Sequence, residues 1–467
     1  MRRRVVITGV GCTTGLGADT GSFWGGLVEG RSSLRPIERF ESAHFPTTIM
    51  SELDGFDVRK VVPKGYRKAT KVMARDIELA VNAAQLAAKD AGIVTRGSGE
   101  AGDLAVESGF ELSGARLGCQ IGAGLIAADT VETAAALSTS VDEDGSFSWA
   151  KWGAAEGGSG AMNNLPPLWM LKYLPNMLAC HVTIIHGAEG PSNTILAAEA
   201  SGILCVGEAS RVIERGDADA CFAGGAESKV NLLGIMRTAV AQRLADTRGT
   251  PGIEGVDVVR PYDGEATGTL IGEGAGILIV EGADHAEERG APAYAEVAGF
   301  GAGQSTDAPL PGVFAGAGED ADWSKGAGEL PRDRALVRAI RAALDDAGIG
   351  ADEIDAVVPG AIGVPEVDAR EAGSLAEVFG DRLGALPLVT VSANLGSCSA
   401  GHGALQVGLA ALCLREQKLP ARLHRGTPVD GLDVGEAGAR SAELGYVLAC
   451  VSSLGGQCAA VVLKRIG

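Results

Sequence analysis

The chain has 467 residues, 46% of them hydrophobic, which is ample for a large buried core built as two domains or as one duplicated unit. Its formal net charge of −19, from 59 acidic against 40 basic residues, argues against nucleic acid and anionic membranes as partners. An acidic carrier protein could still dock on a local basic patch such as Arg67–Arg75.

The nine cysteines are odd in number, form no CxxC pair and lie mostly in apolar runs. Buried free thiols in a reducing cytosol are the expected state, so we predict a cytoplasmic protein. No window resembles a transmembrane span, and the start MRRRVVITGVG runs straight into a strand-and-glycine pattern, which is unlike a signal peptide. The six histidines are scattered and no phosphate or dinucleotide loop stands out, so neither a metal nor a cofactor is predicted.

The first long helix is predicted over residues 73–93, with apolar residues on one face and the ending AAKDAGI. A similar helix is predicted over residues 334–349, with the ending ALDDAGI. Each helix is followed by a strand, which starts near Ala115 in the first half and near Asp355 in the second. The chain is therefore predicted to contain two copies of one structural unit.

Each half later offers another strand that leads into a glycine- and alanine-rich helix. In the first half SNTILAA precedes a helix from Ala200, and in the second half PLVTVSAN precedes a helix from about Ser399. Glu199 and Ser397 are therefore predicted to occupy comparable positions at the two helix starts.

Strands that alternate with helices of this length indicate mostly parallel sheets covered by helices. We predict an α/β protein with an N-terminal half at residues 1–255 and a C-terminal half at residues 256–467, stacked as five αβαβα layers. Ligands of parallel sheets bind beyond the carboxyl ends of the strands, where the two helix starts lie.

Glu199 is the most informative residue, because it lies at the elbow between a strand and a helix. A side chain at such an elbow points into a cleft, and the helix N-terminus behind it favours negative charge. This is a position for a nucleophile, but a carboxylate is a poor acyl acceptor. The sequence therefore predicts an enzyme scaffold whose chemistry has been changed or removed.

Four long motifs, in order along the chain, resemble the β-ketoacyl-acyl carrier protein synthases of the thiolase superfamily. They are RVVITGVGCTTGLGADTGSFWGGLVEGRSSLRPIERF, RGDADACFAGGAES, RPYDGEATGTLIGEGAGILIVE and LGYVLACVSSLGGQCAAVVLKR. The resemblance covers essentially the whole chain and implies the duplicated, five-layer thiolase-like fold. The reaction it implies is decarboxylative condensation, in which a cysteine thiolate takes the acyl chain and two histidines assist.

The same resemblance implies that this chain lacks the family's catalytic groups. The family's cysteine falls on Glu199, its first histidine on Gly360 in VPGAIGVP and its second histidine on Ser397 in SANLGS. A shifted alignment would match His402 to the second histidine, but it would break the fit upstream, so we prefer Ser397. The family's flexible phenylalanine falls on Leu454. Condensation and efficient decarboxylation are therefore not expected.

The chain most resembles the chain-length factors of type II polyketide synthases, which pair with an active ketosynthase and close the far end of its acyl tunnel. This resemblance implies that the helix within GAGLIAADTVETAAAL faces the tunnel, with Ile126, Asp129, Thr133 and Leu454 as lining residues. The implied function is a non-condensing, ketosynthase-like subunit of a type II polyketide or fatty-acid synthase. The implied partners are an active ketosynthase subunit or a second copy of the chain, and an acyl carrier protein.

Two other interpretations stay open from the sequence. Glu199 could be a general base on an acyl-carrier-bound substrate, for cyclisation, decarboxylation or acyl transfer, because carboxylates in dry clefts can have raised pKa values. The chain could also be a homodimeric acyl-binding protein without turnover. For Glu199 we favour a structural role, as a helix cap or as the partner of a nearby donor, over a catalytic one.

Overall fold

Most of the strands join in one sheet that runs through the protein. The computed structural model describes residues 2–100, 109–153, 160–306 and 321–467. Its strands are β1 (Val5–Thr14), β2 (Leu34–Pro36), β3 (Ile49–Ser51), β4 (Ile93–Val94), β5 (Phe110–Glu111), β6 (Leu117–Ala123), β7 (Ser192–Ile195), β8 (Ala220–Ser228), β9 (Glu273–Gly282), β10 (Ala295–Gln304), β11 (Ala356–Val358), β12 (Lys418–Leu419), β13 (Arg440–Ser441), β14 (Tyr446–Ser452) and β15 (Gln457–Lys464). Nine of these strands form a sheet in the order β11-β14-β15-β10-β1-β9-β8-β6-β7.

The helices lie on both faces of this sheet. In the same residues they are α1 (Thr20–Val28), α2 (Arg75–Asp90), α3 (Thr130–Ser138), α4 (Trp149–Trp152), α5 (Met177–His186), α6 (Ser201–Glu214), α7 (Leu232–Val240), α8 (Gly255–Val258), α9 (Ala283–Glu288), α10 (Arg334–Ala347), α11 (Pro365–Phe379), α12 (Ser392–Leu395) and α13 (Ala400–Glu416). None of the helices described is long and apolar enough to cross a membrane.

The helices and the sheet form five layers that pack together through three hydrophobic cores. α2 and α5 pack against one outer face, on the half of the sheet that contains β1, β9, β8 and β6. α10 and α11 pack against the other outer face, on the half that contains β10, β15 and β14. α6 and α13 lie between the two halves, and their side chains share a third core with strands of both. The predicted five-layer αβαβα arrangement is confirmed.

The expectation of mostly parallel sheets is wrong. β6 is parallel to both β7 and β8, and β11 is parallel to β14. The β8–β9, β9–β1, β1–β10, β10–β15 and β15–β14 pairs are antiparallel, so the sheet is mixed. The sequence pattern does not reveal this, because β8 and β9 are buried along their whole length. A strand covered on both faces is a continuous apolar run whichever way its neighbour points.

One further sequence prediction, the strand at PLVTVSAN, needs adjustment. The strand predicted at PLVTVSAN is reduced to isolated bridges, of Leu388 with Val357 and of Pro387 with Asp433, before the short helix α12. In the first half, β9 pairs with β1 and β8, so the strand pairing of that half continues to Gly282. The domain boundary between residues 255 and 256 stays a prediction.

The two central helices approach each other unusually closely at their first turns. A Cβ on Gly202 of α6 would lie 2.3 Å from the backbone nitrogen of Ala404, and one on Gly403 of α13 would lie 2.6 Å from the carbonyl oxygen of Glu199. Only glycine permits this approach at both places. The crossing brings the start of each helix to the same point of the central layer.

The backbone shows which residues of the two halves correspond. Just before each central helix one non-glycine residue has a left-handed backbone, Ala198 with φ of 44° and Ser399 with φ of 45°. Glu199 directly follows the first of these residues, and Ala400 directly follows the second. The predicted equivalence of Glu199 and Ser397 is therefore wrong, because the second half has extra loop residues between its short helix and α13.

Candidate functional site

Glu199 lies at the elbow that the sequence predicts. β7 ends at Ile195, a single 3-10 turn spans Ala198–Ala200, and α6 follows directly. The hydroxyl of Ser201 accepts a hydrogen bond of 2.8 Å from the backbone nitrogen of Ala197, which fixes the turn. Glu199 is 4% exposed. The side chain at the elbow thus points into a cleft, as expected, and the group it places there is the Glu199 carboxylate.

The Glu199 carboxylate has two partners that the structure brings from distant parts of the chain. Nη1 of Arg243 lies 3.2 Å from Oε1 of Glu199, and the side chains are 6% and 5% exposed. The backbone nitrogen of Leu454 donates to Oε2 over 3.1 Å. The structural role favoured for Glu199, as the partner of a nearby donor, is therefore observed.

These partners determine the protonation state of Glu199. Burial alone would raise the pKa of this carboxyl group, but Arg243, Lys229 and the Leu454 N–H stabilise its charged form and bring the pKa below its ordinary value. The expectation of a raised pKa in a dry cleft is therefore wrong for Glu199. A carboxylate that holds its proton so weakly is a poor general base near neutral pH.

Gly360, at the position predicted for the first histidine, is closely surrounded by the side chains of Glu371 and Val451. Its backbone nitrogen donates to Oε1 of Glu371 over 2.9 Å. A Cβ at this position would lie 2.9 Å from the same oxygen and 3.0 Å from a methyl group of Val451. Glu371 also accepts from the backbone nitrogen of Ala361, so the buried carboxyl group holds the whole loop.

His402 supports this loop from α13. The ring is fully buried and its Nε2 lies 3.0 Å from the carbonyl oxygen of Gly360. Since a carbonyl oxygen only accepts, Nε2 carries the proton and donates. Burial lowers the pKa of His402, which favours the neutral ring, although the bond to Gly360 and the charge of Glu199 oppose this. His402 therefore ties the helix to the Gly360 loop, as expected for a residue in the first turns of a packed helix.

Ser397 and Leu454 share a cavity of about 320 Å³ with Glu199. Ser397 is held by backbone bonds to Leu270 and Gly272, while its side chain faces the cavity. The remaining polar wall consists of the charged residues Glu227, Lys229, Arg237 and Arg243 and of the hydroxyl residues Thr238, Thr269 and Ser399. The apolar wall includes Leu125, Leu196, Ile271 and Ile362. Among the described residues that line this cavity, none is a cysteine or a histidine.

The other predicted tunnel residues lie elsewhere. Ile126 is buried in the core beneath α2 and α5. Asp129 is exposed, caps α3 through a 2.7 Å bond from the backbone nitrogen of Val131, and lines a separate cavity of about 440 Å³. Thr133 is half-buried, and its hydroxyl donates to the carbonyl oxygen of Asp129. Within one subunit these three residues do not meet the cavity of Glu199, so their tunnel role stays a prediction.

Comparison with known proteins agrees with this architecture. The model of the β-ketoacyl synthase N-terminal domain matches residues 2–286, and that of the C-terminal domain matches residues 312–425. The chain belongs to the β-ketoacyl synthase family. It has the family's mixed sheet and elbow, and a paired carboxylate at the elbow residue.

Individual relatives span the whole chain. The 3-oxoacyl-[acyl-carrier-protein] synthase 2 of Coxiella burnetii (strain RSA 493 / Nine Mile phase I) is 27% identical over 468 residues, covering 100% of this chain and 99% of the relative. The enzyme of the same name from Vibrio cholerae serotype O1 is 28% identical over 469 residues, with 100% of both chains covered. The solved ishigamide ketosynthase/chain length factor is 28% identical with a TM-score of 0.77, again over 100% of both chains.

Sequence reasoning missed Arg243 and Lys229, the two cations that stabilise the charged form of Glu199. Arg243 is separated from Glu199 by 44 residues, and it follows α7 in a segment without a motif. Its backbone is fixed between Thr238, whose carbonyl oxygen accepts from the Arg243 nitrogen, and Thr269, whose nitrogen donates to the Arg243 carbonyl oxygen. A buried carboxylate needs a partner, and this requirement was the one available signal in the sequence. It does not indicate where in the chain the partner lies.

We expect the pairing of Glu199 with Arg243 to be important for stability. Arg243→Met should lower the free energy of unfolding by about 3–5 kcal/mol, because it leaves a buried carboxylate without its cation. The double variant Arg243→Met/Glu199→Leu should recover most of the loss, because it removes both charges. Urea unfolding at neutral pH measures all three proteins.

The matched control is Arg248→Met, which removes an arginine whose ion pair with Asp246 is exposed. This control should change the unfolding free energy much less than Arg243→Met does. Equal effects of the two single substitutions, or no recovery in the double variant, would contradict the assigned role of the Glu199–Arg243 pair.

Proposed function

We propose that this chain is a non-condensing, chain-length-factor-type subunit that pairs with an active ketosynthase of a type II synthase. The observation that carries the proposal is the Glu199 carboxylate, which is buried, charged and bonded to Arg243 and Leu454 at the elbow where a nucleophile would lie. Position 360 is a glycine whose Cβ would approach Glu371 and Val451 closely, and the described cavity wall offers neither a thiol nor an imidazole. The likeness to the ishigamide ketosynthase/chain length factor supports the same assignment.

The surface around the cavity supports a subunit partner. β7 is the last strand of the sheet and pairs on one side only, with β6, so its other edge presents backbone groups for a further strand. Leu125 and Leu196, which line the cavity, are 63% and 52% exposed. Val240, on the helix whose Arg237 donates to the carbonyl oxygen of Leu125, is exposed as well. An apolar surface next to an open sheet edge is typical of a protein–protein interface.

A basic segment supports an acyl carrier protein as a further partner. Between β3 and α2 six basic side chains are exposed in a chain of net charge −19: Arg59, Lys60, Lys64, Arg67, Lys68 and Lys71. Arg75, at the end of the predicted patch, is instead bonded to the buried Glu273 and to Glu78. The six exposed charges give an acidic carrier a local basic surface on a chain that is acidic overall.

The first test is co-expression with an active ketosynthase. We expect a one-to-one complex by native mass spectrometry, and no turnover of malonyl or longer acyl carriers by this chain alone. Val240→Lys should weaken the complex at least tenfold, because it places a charge in the apolar interface. Ala385→Lys, at an exposed position of the second half, serves as the matched control.

Two results would contradict the proposal. One is a stable homodimer that no ketosynthase joins, which would favour the homodimeric acyl-binding protein. The other is turnover by the isolated chain that is lost in Glu199→Gln, which would favour the general-base interpretation.

The second test concerns product length. Thr133→Phe should shorten the main product of the complex by at least one extension unit, because the phenyl ring takes up tunnel space on α3. Ser138→Phe, which adds the same ring to an exposed position of the same helix, should leave product length unchanged. Mass spectrometry of the products measures both, and an unchanged length with Thr133→Phe would remove α3 from the tunnel wall.

A further inference from the structure

Arg243 has more hydrogen-bond donors than the surrounding protein uses. A guanidinium carries five N–H donors, and among the described residues the bond from Nη1 to Glu199 is the one that the structure shows. The Nε atom is buried without a partner among the described residues, and Arg243 as a whole is only 5% exposed and lines the cavity of Glu199. An unpaired donor this deeply buried calls for an acceptor that the described residues do not provide.

Lys229 adds a second incompletely paired cation to the same cavity. Its ammonium lies 3.7 Å from Oε1 of Glu227, which is too long for a hydrogen bond. The other oxygen of Glu227 accepts from the backbone nitrogen of Ala400 at the start of α13, over 3.0 Å. Lys229 therefore keeps donor capacity that can be directed into the cavity.

The formal charges of the cavity wall do not cancel. Lys229, Arg237 and Arg243 are three cations, and Glu199 and Glu227 are two anions, so one positive charge is in excess. The carboxylate of Glu199 is already bonded to Arg243 and Leu454, which limits its repulsion of a second anion. A single negative charge is what this wall lacks.

The apolar residues of the same cavity define the rest of the ligand. Leu196, Leu125 and Ile362 present apolar surface to the same cavity. A ligand that satisfies both sets of residues carries one anionic group and a hydrocarbon body. The volume of about 320 Å³ is that of a small-molecule pocket.

We propose that this cavity binds a short aliphatic monocarboxylate, with its carboxylate against the Arg243 guanidinium and Lys229 and its chain against Leu196 and Ile362. The inference rests on the proposed function in one respect, namely that the cavity is a binding site without a nucleophile. A free fatty acid and an acyl thioester with a terminal carboxylate present the same chemistry, and the test separates these two sources.

Isothermal titration of the purified full-length chain with hexanoate and with hexanamide tests the proposal. Hexanamide has nearly the same shape without the charge, so we expect hexanoate to bind at least tenfold more tightly. Lys229→Met should weaken hexanoate binding about tenfold and leave hexanamide binding unchanged. Lys151→Met, an exposed lysine outside the cavity, is the matched control.

A second variant controls for misfolding caused by the loss of Arg243 alone. Glu199→Gln/Arg243→Met removes both charges of the buried pair, and it should abolish the preference for hexanoate over hexanamide. Titration with adipyl-pantetheine and with hexanoyl-pantetheine then identifies whether the bound carboxylate belongs to an acyl thioester or to a free acid. Binding of the adipyl thioester assigns the site to a carboxylate on an acyl chain, and binding of hexanoate without either thioester assigns it to a free acid.

Equal affinity for hexanoate and hexanamide, absence of binding by both, or an unchanged affinity for hexanoate in Lys229→Met would overturn the proposal. These outcomes are independent of whether the chain forms a complex with a ketosynthase. Failure of the carboxylate site is therefore distinguishable from failure of the proposed function.

Discussion

The ion pair between Glu199 and Arg243 is the constraint on which the site depends. A carboxylate that is 4% exposed would be strongly destabilising if it were alone, because burial removes its hydration. Arg243 and the Leu454 N–H replace that hydration and keep the group charged. They also attach α6 to the loop after α7 and to the β14–β15 turn. The side chain at the elbow thus contributes to the structure.

The surrounding scaffold does not need catalysis to keep its shape. α6 and α13 approach each other through Gly202 and Gly403, and this contact is independent of which side chain stands at the elbow. On the other side, Glu371 and His402 hold the Gly360 loop through its backbone. The cavity can therefore keep its shape without a thiol or an imidazole among its described lining residues. This physical separation of the scaffold from the elbow side chain is what the proposed role as a tunnel-forming subunit requires.

Much of the fold could be predicted from the sequence because local patterns determine it. The helix α2, the repeated helix α10 and the elbow at Glu199 follow from periodicity, turn residues and the strand-to-helix transition. Strand direction could not be predicted, since β8 and β9 are apolar throughout and their pattern is the same in either orientation. The equivalence of Glu199 with Ser397 was wrong because loop lengths differ between the halves. Arg243 could not be found because its contact with Glu199 exists only after the chain has folded.

The central claim is that Glu199 remains a charged, paired carboxylate at the pH at which the synthase works. Side-chain carboxyl ¹³C NMR of glutamate-labelled protein, with Glu199→Gln used to assign the resonance, measures this directly. Our account predicts that the Glu199 signal shows no titration step between about pH 5 and pH 8, since its pKa lies below the ordinary value. A step in that range that disappears in Glu199→Gln would show a proton-holding acid, and it would contradict the account.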